Sequence, residues 1–236
     1  PLFLCGLATA WLDSIELAMY SFALPCVISP TLGLLLLSLT RTNTSERLRD
    51  KEAFAAVGLV WPIAVFIGAL PFWFGGMFNG PFTDGASFVD IARGGINSWF
   101  ESMSGFTTTG FSIIQNINNI DEPLILWRSS SQWMGGLLFL MATIGTIGSK
   151  QIKIKPAYLI SGGASGRNFY NNFNYNFIKI LLIYFSSTIF AIFLYSIMDL
   201  RLLDSVNLAF TTISSGGFIP SDNLSNILTS NFQTFL

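Results

Sequence analysis

Residues 100–112 have the sequence FESMSGFTTTGFS, and residues 209–218 have the sequence AFTTISSGGF. Each block follows an apolar run and a short segment suited to a helix, and each ends in a threonine- or serine-rich run that closes with glycine. The blocks lie roughly 105 residues apart, a period that suits a two-span unit rather than a solenoid. This internal repeat therefore predicts how the rest of the chain is organised.

The composition of the chain is that of a membrane protein. Of the 236 residues, 51% are hydrophobic and only 11% are charged, whereas a soluble domain carries roughly 25% charged residues to cover its surface. The chain has no histidine, which excludes Ser-His and Cys-His catalysis and most zinc chemistry; we expect neither an enzyme nor a cofactor. The net charge of −1 offers no basic surface for nucleic acid.

Three apolar runs reach the length of about 20 residues that a helix needs to cross a membrane. The predicted spans are Phe54–Phe74, Leu124–Gly148 and Phe177–Met198. Residues 1–40 are also apolar, but they divide into a run that contains acidic residues, Leu2–Tyr20, and a shorter run, Pro25–Leu39. We interpret residues 1–40 as a helical hairpin.

The distribution of basic residues orients these spans. Nine of the twelve lysines and arginines fall in residues 41–52 and 149–179, whereas residues 75–123 and 199–236 contain one each. By the positive-inside rule, the first two segments are cytoplasmic and the other two are external. The predicted domains are the hairpin (1–40), a cytoplasmic loop (41–52), a first span–loop–span repeat (53–150), a cytoplasmic connection (151–176) and an incomplete second repeat (177–236).

The two glycine-ended runs have the character of pore loops. A short helix that enters from outside and stops within the membrane directs its partially negative C-terminal end at the residues after it, and this end suits a cation. Non-helical backbone at that depth must lie inside protein or along a water-filled cavity, and its carbonyls can replace the water shell of a potassium ion. A single TTTG or SSGG run is more often an ordinary turn or helix C-cap, so the prediction depends on the repeat.

The motifs resemble those of the Trk/Ktr/HKT superfamily of potassium transport proteins. FESMSGFTTTGFS (100–112) followed by LILWRSSSQWMGGLLFL (124–140) is similar to the first pore loop and the next helix of that family, and AFTTISSGGF (209–218) is similar to the second pore loop. RLRDKEAFAAVGLVWPIAVFIGALPF (47–72) is similar to the basic loop and helix that lead into the first repeat. The hairpin expected before them favours the TrkH-like branch.

The resemblance implies an all-α integral membrane protein with four span–pore helix–span repeats around a pseudo-fourfold cation channel. One complete repeat in 236 residues suggests a fragment covering about the first half of such a subunit. The resemblance also implies multi-pass insertion in the inner (plasma) membrane, potassium uptake, homodimers, and a cytoplasmic nucleotide-binding regulatory subunit as partner. A sodium-permeable relative and a non-conducting membrane scaffold are the alternatives, and Gly110, where sodium-permeable relatives usually have serine, favours potassium.

Carried over by position, the resemblance assigns backbone carbonyls of two filter strands to the ion. The first strand consists of Thr107, Thr108, Thr109 and Gly110. The second consists of Ile213, Ser214, Ser215 and Gly216, flanked by Thr212 and Gly217. Either of the paired glycines can match Gly110; we favour Gly216, because each strand then ends in a hydroxyl residue followed directly by glycine.

Polar and small residues near the loops also have structural interpretations. We interpret Asp204 as a first-turn acid that suits the helix dipole. Glu101 concentrates cations at the pore mouth, pairs with Arg128 or is simply solvated, and the sequence leaves these three interpretations open. We expect Arg128 to be a structural anchor or an ion-pair partner rather than an ion ligand. Gly135 and Gly136 are expected to allow another helix to approach closely.

The orientation of the chain leads to a labelling prediction. A cysteine placed at Asn118 should react with an impermeant thiol reagent added outside intact cells, and a cysteine placed at Ser165 should not, because we predict residues 75–123 to be external and residues 149–176 to be cytoplasmic. The labelled fraction of each variant is measured against that of the parent chain. External labelling of Ser165→Cys would overturn the orientation.

Overall fold

The structure is a computed structural model of the chain and describes residues 5–6, 15–39, 50–149 and 173–222. Over these residues the regular elements are helices, as the all-α prediction requires. Several predicted features lie outside the described residues: residues 1–4, 7–14 and 40 of the hairpin, most of the loop 41–52, most of the connection 151–176 with Ser165, and residues 223–236 of the second repeat.

The helices are numbered here in chain order. Helix α1 joins Ile15–Leu17, Ala18–Ala23 and Leu24–Leu39; α2 is Asp50–Phe74, α3 is Phe88–Phe106, α4 is Glu122–Ser149, α5 is Phe173–Ile197, and α6 is Leu202–Ser214, with a 3-10 turn at Ile117–Asn119. The three predicted spans match α2, α4 and α5, apart from Met198, which lies just beyond the end of α5.

Helix α1 does not end where the sequence suggested a division between two legs of a hairpin. Its middle stretch, Ala18–Ala23, is π-helical, and the backbone N–H of Leu24 donates to the carbonyl of Met19. A π-helical turn widens the helix, and here it precedes Pro25, so the proline is accommodated without a break. Residues 18–35 of this helix are long and apolar enough to cross a membrane.

The helices differ in how apolar they are along their length. Of the described residues, those of Ile178–Ile197 in α5 also meet the length and hydropathy of a span, and Trp61–Phe74 in α2 forms a shorter apolar stretch. Helix α4 is less uniformly apolar than these stretches. Arg128 and the four polar residues after it interrupt its apolar run. The side chains of residues 128–132 are buried inside the protein, so the interruption does not place them in lipid.

Helix α4 belongs to the first repeat and packs against helices of both repeats. Helix α3 packs against α2 and α4, and α6 packs against α4 and α5. A buried cluster of Cys5, Phe22, Phe72, Leu124 and Trp127 joins α1 and α2 to the start of α4. The indole N–H of Trp127 donates to the carbonyl of Gly68 over 2.9 Å, which satisfies the polar atom of this otherwise apolar cluster.

The short helix before the first glycine-ended run, α3, begins at Phe88, well before the motif at residues 100–112. The side chain of Ser87 accepts a hydrogen bond from the backbone N–H of Asp90, and Asp90 in turn accepts from the backbone N–H and the hydroxyl of Ser87. This capping box satisfies two N–H groups at the start of α3. The same hydrogen bonds from Ser87 lower the pKa of Asp90.

The glycine pair of α4 allows the close approach that the sequence predicted. A β-carbon on Gly135 would overlap the carbonyl oxygen of Phe106 at the end of α3. A β-carbon on Gly136 would lie 2.9 Å from the hydroxyl of Tyr184 and 3.1 Å from the β-carbon of Ser214. The prediction is therefore confirmed, and these two residues hold the ends of α3 and α6 against one helix.

Gly135→Ala should destabilise the protein. The added methyl group meets backbone that cannot move aside, and overpacking of this kind costs about 1–3 kcal/mol. Gly58→Ala is the matched control in α2, since a β-carbon there meets no atom within 4 Å, and it should be neutral or stabilising by up to about 1 kcal/mol. Thermal unfolding midpoints of the detergent-purified variants measure the difference; equal midpoints would contradict the close contact.

Candidate functional site

The first predicted filter strand comes after α3 as a tight, non-helical turn. The backbone N–H of Thr109 donates to the carbonyl of Ser104 over 3.0 Å, and the N–H of Thr108 donates to that of Gly105 over 2.9 Å. Thr108 has a φ of 54° and Gly110 a φ of 79°, both in the left-handed region. Glycine adopts such angles without strain, which explains the glycine at position 110.

The strand after α6 repeats this backbone geometry. Ser215 has a φ of 55° and Gly217 a φ of 81°. The N–H of Gly216 donates to the carbonyl of Thr211 over 2.9 Å, as the N–H of Thr109 does to Ser104. We call residues 107–111 the first loop and residues 214–218 the second loop; equivalent positions in the two loops are 107 residues apart.

This equivalence corrects the register that we favoured from the sequence. Gly217, and not Gly216, has the backbone conformation of Gly110. The register from the sequence placed a hydroxyl residue directly before each glycine. The two loops instead share a residue with left-handed backbone angles, followed two positions later by a glycine with left-handed angles. The second strand that corresponds to residues 107–110 is therefore residues 214–217.

Residues Thr212 to Ser214, which were predicted as part of the filter strand, are helical and not extended. Their hydroxyl groups form hydrogen bonds within α6 or with the neighbouring helix α5. The hydroxyl of Thr212 lies 3.1 Å from that of Tyr195 on α5. The hydroxyl of Ser214 donates back to the carbonyl of Phe210 over 2.8 Å. Ile213 is also part of α6, so this helix extends to Ser214 and turns only at Ser215.

Several backbone carbonyls of the two loops accept no hydrogen bond within the described part of the chain. Among the described residues, the carbonyl oxygens of residues 107–110 accept no hydrogen bond, and neither do those of Ser215 and Gly217. The hydroxyls of Thr107 and Thr109 bond to each other over 2.8 Å. The loops also touch, since a β-carbon on Gly110 would overlap the carbonyl oxygen of Gly216. Chemically, the site offers neutral oxygen ligands suited to a cation.

The carbonyl of Gly216 differs from its neighbours because a side chain of α4 engages it. The amide Nε2 of Gln132 donates to this carbonyl over 2.7 Å. The amide Oε1 accepts from the hydroxyl of Thr211 over 2.7 Å and from the backbone N–H of Phe218 over 3.2 Å. Gly216 was predicted as an ion ligand, and one lone pair of its carbonyl oxygen is instead directed at α4.

A buried ion pair lies behind the two loops. Nε of Arg128 is 2.8 Å from Oε1 of Glu101, and both side chains are at most 2% exposed. Glu101 also accepts from the hydroxyl of Ser112 over 2.9 Å and from the backbone N–H of Ile113 over 3.3 Å. Of the three interpretations of Glu101, pairing with Arg128 is confirmed, and Arg128 is an ion-pair partner as expected.

Arg128 connects this pair to the second loop. Its guanidinium carbon lies 4.1 Å from the centre of the Phe218 ring, within the range of a cation–π interaction. Its Nη1 donates to the carbonyl of Ile219 over 3.4 Å. One arginine on α4 thus reaches the chain at the end of both loops, through Glu101 on one side and directly on the other.

A second set of polar contacts joins the repeats on the predicted outer side. The carboxylate of Asp222 accepts from the backbone N–H of Ile117 over 2.7 Å and of Asn118 over 3.4 Å. Arg201 pairs with Glu122 over 2.5 Å and with Asp204 over 3.2 Å. Asp204 lies in the first turn of α6 as predicted, and the contact with Arg201 was not foreseen.

Gln132 and Asp222 are the residues of this site that sequence reasoning missed. Gln132 lies one helical turn after Arg128, at the end of the polar stretch 128–132, and polar residues inside a predicted span are a hint of function. Asp222 lies beyond the second loop in a segment whose composition carries no comparable signal. The role of each depends on partners 84 and 105 residues away in the sequence.

Comparison with known proteins finds relatives among cation transporters. An uncharacterised cation transporter of Methanocaldococcus jannaschii is 31% identical over 186 residues, which cover 76% of this chain and 34% of that protein. The Trk system potassium uptake protein TrkH of Halomonas elongata is 24% identical over 189 residues, which cover 79% of this chain and 36% of TrkH. No family model matches the chain.

Among solved structures, the crystal structure of the potassium transporter TrkH from Vibrio parahaemolyticus matches with a TM-score of 0.70 at 20% identity, covering 94% of this chain and 41% of that chain. In sequence and in fold, the chain resembles the TrkH-type membrane subunit. The family resemblance of the motifs is thereby confirmed, and the fold is that of an all-α membrane protein. The chain spans about a third of the length of the curated relatives it matches.

Glu101→Gln should strongly destabilise this TrkH-like chain. Removing one charge leaves Arg128 buried without a counter-ion, and breaking a buried pair costs about 3–5 kcal/mol. Glu122→Gln is the matched control, because its pair with Arg201 is exposed and such pairs contribute about 0–1 kcal/mol. Thermal unfolding in detergent measures both changes; a loss for Glu101→Gln no larger than for Glu122→Gln would show that the buried pair does not stabilise the site.

Proposed function

We propose that the chain forms part of a pore for potassium uptake, in which the two loops supply backbone carbonyls to the ion. The observation that carries the proposal is the repeated backbone of residues 107–111 and 214–218, each with a left-handed residue and, two positions later, a left-handed glycine. Equivalent turns after two short helices present carbonyl oxygens in the same way, as a symmetric ion site requires.

The residues proposed to line the ion path are derived from this equivalence. In the first loop they are the carbonyls of Thr107, Thr108, Thr109 and Gly110. In the second they are those of Ser214, Ser215 and Gly217, while the carbonyl of Gly216 also accepts from Gln132. Thr212 and Ile213, which the sequence included, lie within α6 and contribute its C-terminal dipole rather than a ligand.

The relatives of the chain support potassium as the transported ion. TrkH of Halomonas elongata is a potassium uptake protein, and the matching crystal structure is that of a potassium transporter. Gly110 is consistent with this choice, as the family resemblance implies. By the same resemblance, we propose an inner-membrane, multi-pass location in lipid, pairing as a homodimer, and a cytoplasmic nucleotide-binding regulatory partner, with no cofactor and no enzymatic reaction.

Ion flux in proteoliposomes tests the proposal against its alternatives. The full-length protein that contains this chain should take up ⁸⁶Rb⁺, a potassium substitute, and excess K⁺ should compete better than excess Na⁺. A sodium-permeable relative would give the reverse order of competition, and a scaffold would give no flux above that of empty vesicles. Either result would overturn the proposed function.

Gly110→Ser should weaken the preference for K⁺ over Na⁺, because a β-carbon at a φ of 79° strains the loop and overlaps the carbonyl of Gly216. Gly85→Ser is the matched control: Gly85 has a φ of 73° in an exposed outer turn, with open space around it, so it carries similar strain away from the loops. Thr109→Val keeps the carbonyl and should have an intermediate effect.

Competition of Na⁺ with ⁸⁶Rb⁺ uptake ranks these three variants, and membrane abundance is measured beside it. The expected order of lost preference is Gly110→Ser, then Thr109→Val, then Gly85→Ser. If Gly110→Ser reached the membrane in normal amounts and kept the parent's preference for K⁺, residues 107–110 would not be a filter strand.

A further inference from the structure

The side chain of Gln132 contacts the second loop at three points. It is fully buried in α4, and its amide reaches the hydroxyl of Thr211 before the loop, the carbonyl of Gly216 within it and the N–H of Phe218 at its end. All three partners belong to the second repeat, whereas Gln132 belongs to the first. One side chain of α4 therefore spans the whole loop.

The chemistry of these partners fixes which way the amide faces. A backbone N–H can only donate and a backbone carbonyl can only accept, so Oε1 must face Phe218 and Nε2 must face Gly216. The hydroxyl of Thr211 then donates to Oε1. A neutral amide fits this set, whereas a carboxylate would place negative charge against the carbonyl of Gly216.

Positions 216 and 217 of the second loop each need glycine, but for different physical reasons. Gly217 has a φ of 81°, which favours glycine for its dihedral angles. Gly216 does not have a positive φ, but a β-carbon there would overlap the amide of Gln132. Gly216 is therefore required for the approach of Gln132, which explains why the second loop has a glycine where the first has Thr109.

The first loop lacks an equivalent fastening within the described residues. The position equivalent to Thr211 is Ser104, whose buried hydroxyl finds no partner in the described part of the chain. The position equivalent to Phe218, which is 3% exposed, is Phe111, which is 71% exposed. The described structure thus fixes the first loop through Glu101 and the second through Gln132.

We propose that Gln132 is a positioning residue that holds the second loop in its ion-binding conformation and thereby sets the preference for K⁺ over Na⁺. The selectivity part of this proposal rests on the proposed function; the positioning part does not. Loss of the amide leaves a buried carbonyl, N–H and hydroxyl without their partner. Unpaired groups of this kind favour rearrangement of the segment that carries them.

Gln132→Met tests the proposal, because methionine has a similar length and volume but an amide-free end. Ser129→Ala is the matched control: the hydroxyl of Ser129 bonds to Oδ1 of Asn207 across the same α4–α6 interface and to the carbonyl of Ile125, and neither partner belongs to a loop. Both variants lose a buried hydrogen bond between the same helices. A merely structural role of Gln132 would lower stability, as Ser129→Ala does, without a change confined to the second loop.

The first readout is hydrogen–deuterium exchange of peptides covering each loop in the detergent-purified protein. Gln132→Met should speed exchange in the peptide with residues 211–218 but not in the one with residues 104–113, and Ser129→Ala should leave both unchanged. Unchanged exchange over residues 211–218 in Gln132→Met would overturn the positioning role. Because this readout does not depend on transport, it tests the positioning role of Gln132 even if the protein moves no K⁺.

The second readout is competition of Na⁺ with ⁸⁶Rb⁺ uptake in proteoliposomes. Gln132→Met should lower the preference for Rb⁺ by about tenfold, a change of about 1.4 kcal/mol, while Ser129→Ala keeps the parent's value. Faster exchange with unchanged selectivity would overturn the selectivity part. Absence of flux in the parent would count against the proposed function instead.

A conservative variant provides the rescue. Protonated glutamate at position 132 has a donor and an acceptor arranged like those of the amide, whereas ionised glutamate has acceptors only. Gln132→Glu should therefore approach the parent's selectivity at low pH and lose it as the pH rises, with each value normalised to the parent at the same pH. A pH-independent defect in Gln132→Glu would contradict the hydrogen-bonding role.

Discussion

The buried ion pair between Glu101 and Arg128 is the interaction that holds the site together. Ionised groups inside a membrane protein are costly unless they are paired and hydrogen-bonded, and here the carboxylate also accepts from Ser112 and Ile113. The pair therefore fixes the first short helix against α4 and anchors the chain as it leaves the first loop. Through Phe218 and Ile219, Arg128 extends the same constraint to the second loop.

The fold could be predicted because its signals are local. Apolar runs of spanning length, the asymmetry of basic residues and two glycine-ended motifs are properties of contiguous sequence, and they located α2, α4 and α5. The continuous helix at Ile15–Leu39 was not foreseen, because Pro25 marked a division between two apolar runs and the π-helical turn that accommodates it has no simple sequence signal. The capping box of Ser87 and Asp90 is also a local signal, and it marks the start of α3.

The geometry of the site depends on contacts that the sequence does not record. The register of the second loop was wrong because residue types suggested Gly216, whereas the backbone angles select Gly217. Thr211 and Thr212 resemble filter residues in a linear motif, yet their hydroxyls contact Gln132 and Tyr195. The pairing of Glu101 with Arg128 was one of three interpretations, because their 27-residue separation leaves their distance undetermined until α3 and α4 are placed.

The function proposed here requires that the two equivalent loops bind the same cation through backbone carbonyls. Anomalous diffraction from crystals of the protein grown in Rb⁺ shows the position of the ion directly. Flux measurements show transport and leave the position of the ion to be inferred. We expect an anomalous peak within coordination distance of carbonyls from both residues 107–110 and residues 214–217, and we expect it to weaken when Na⁺ replaces Rb⁺. Rb⁺ bound elsewhere, with no peak between the two loops, would contradict this mode of binding.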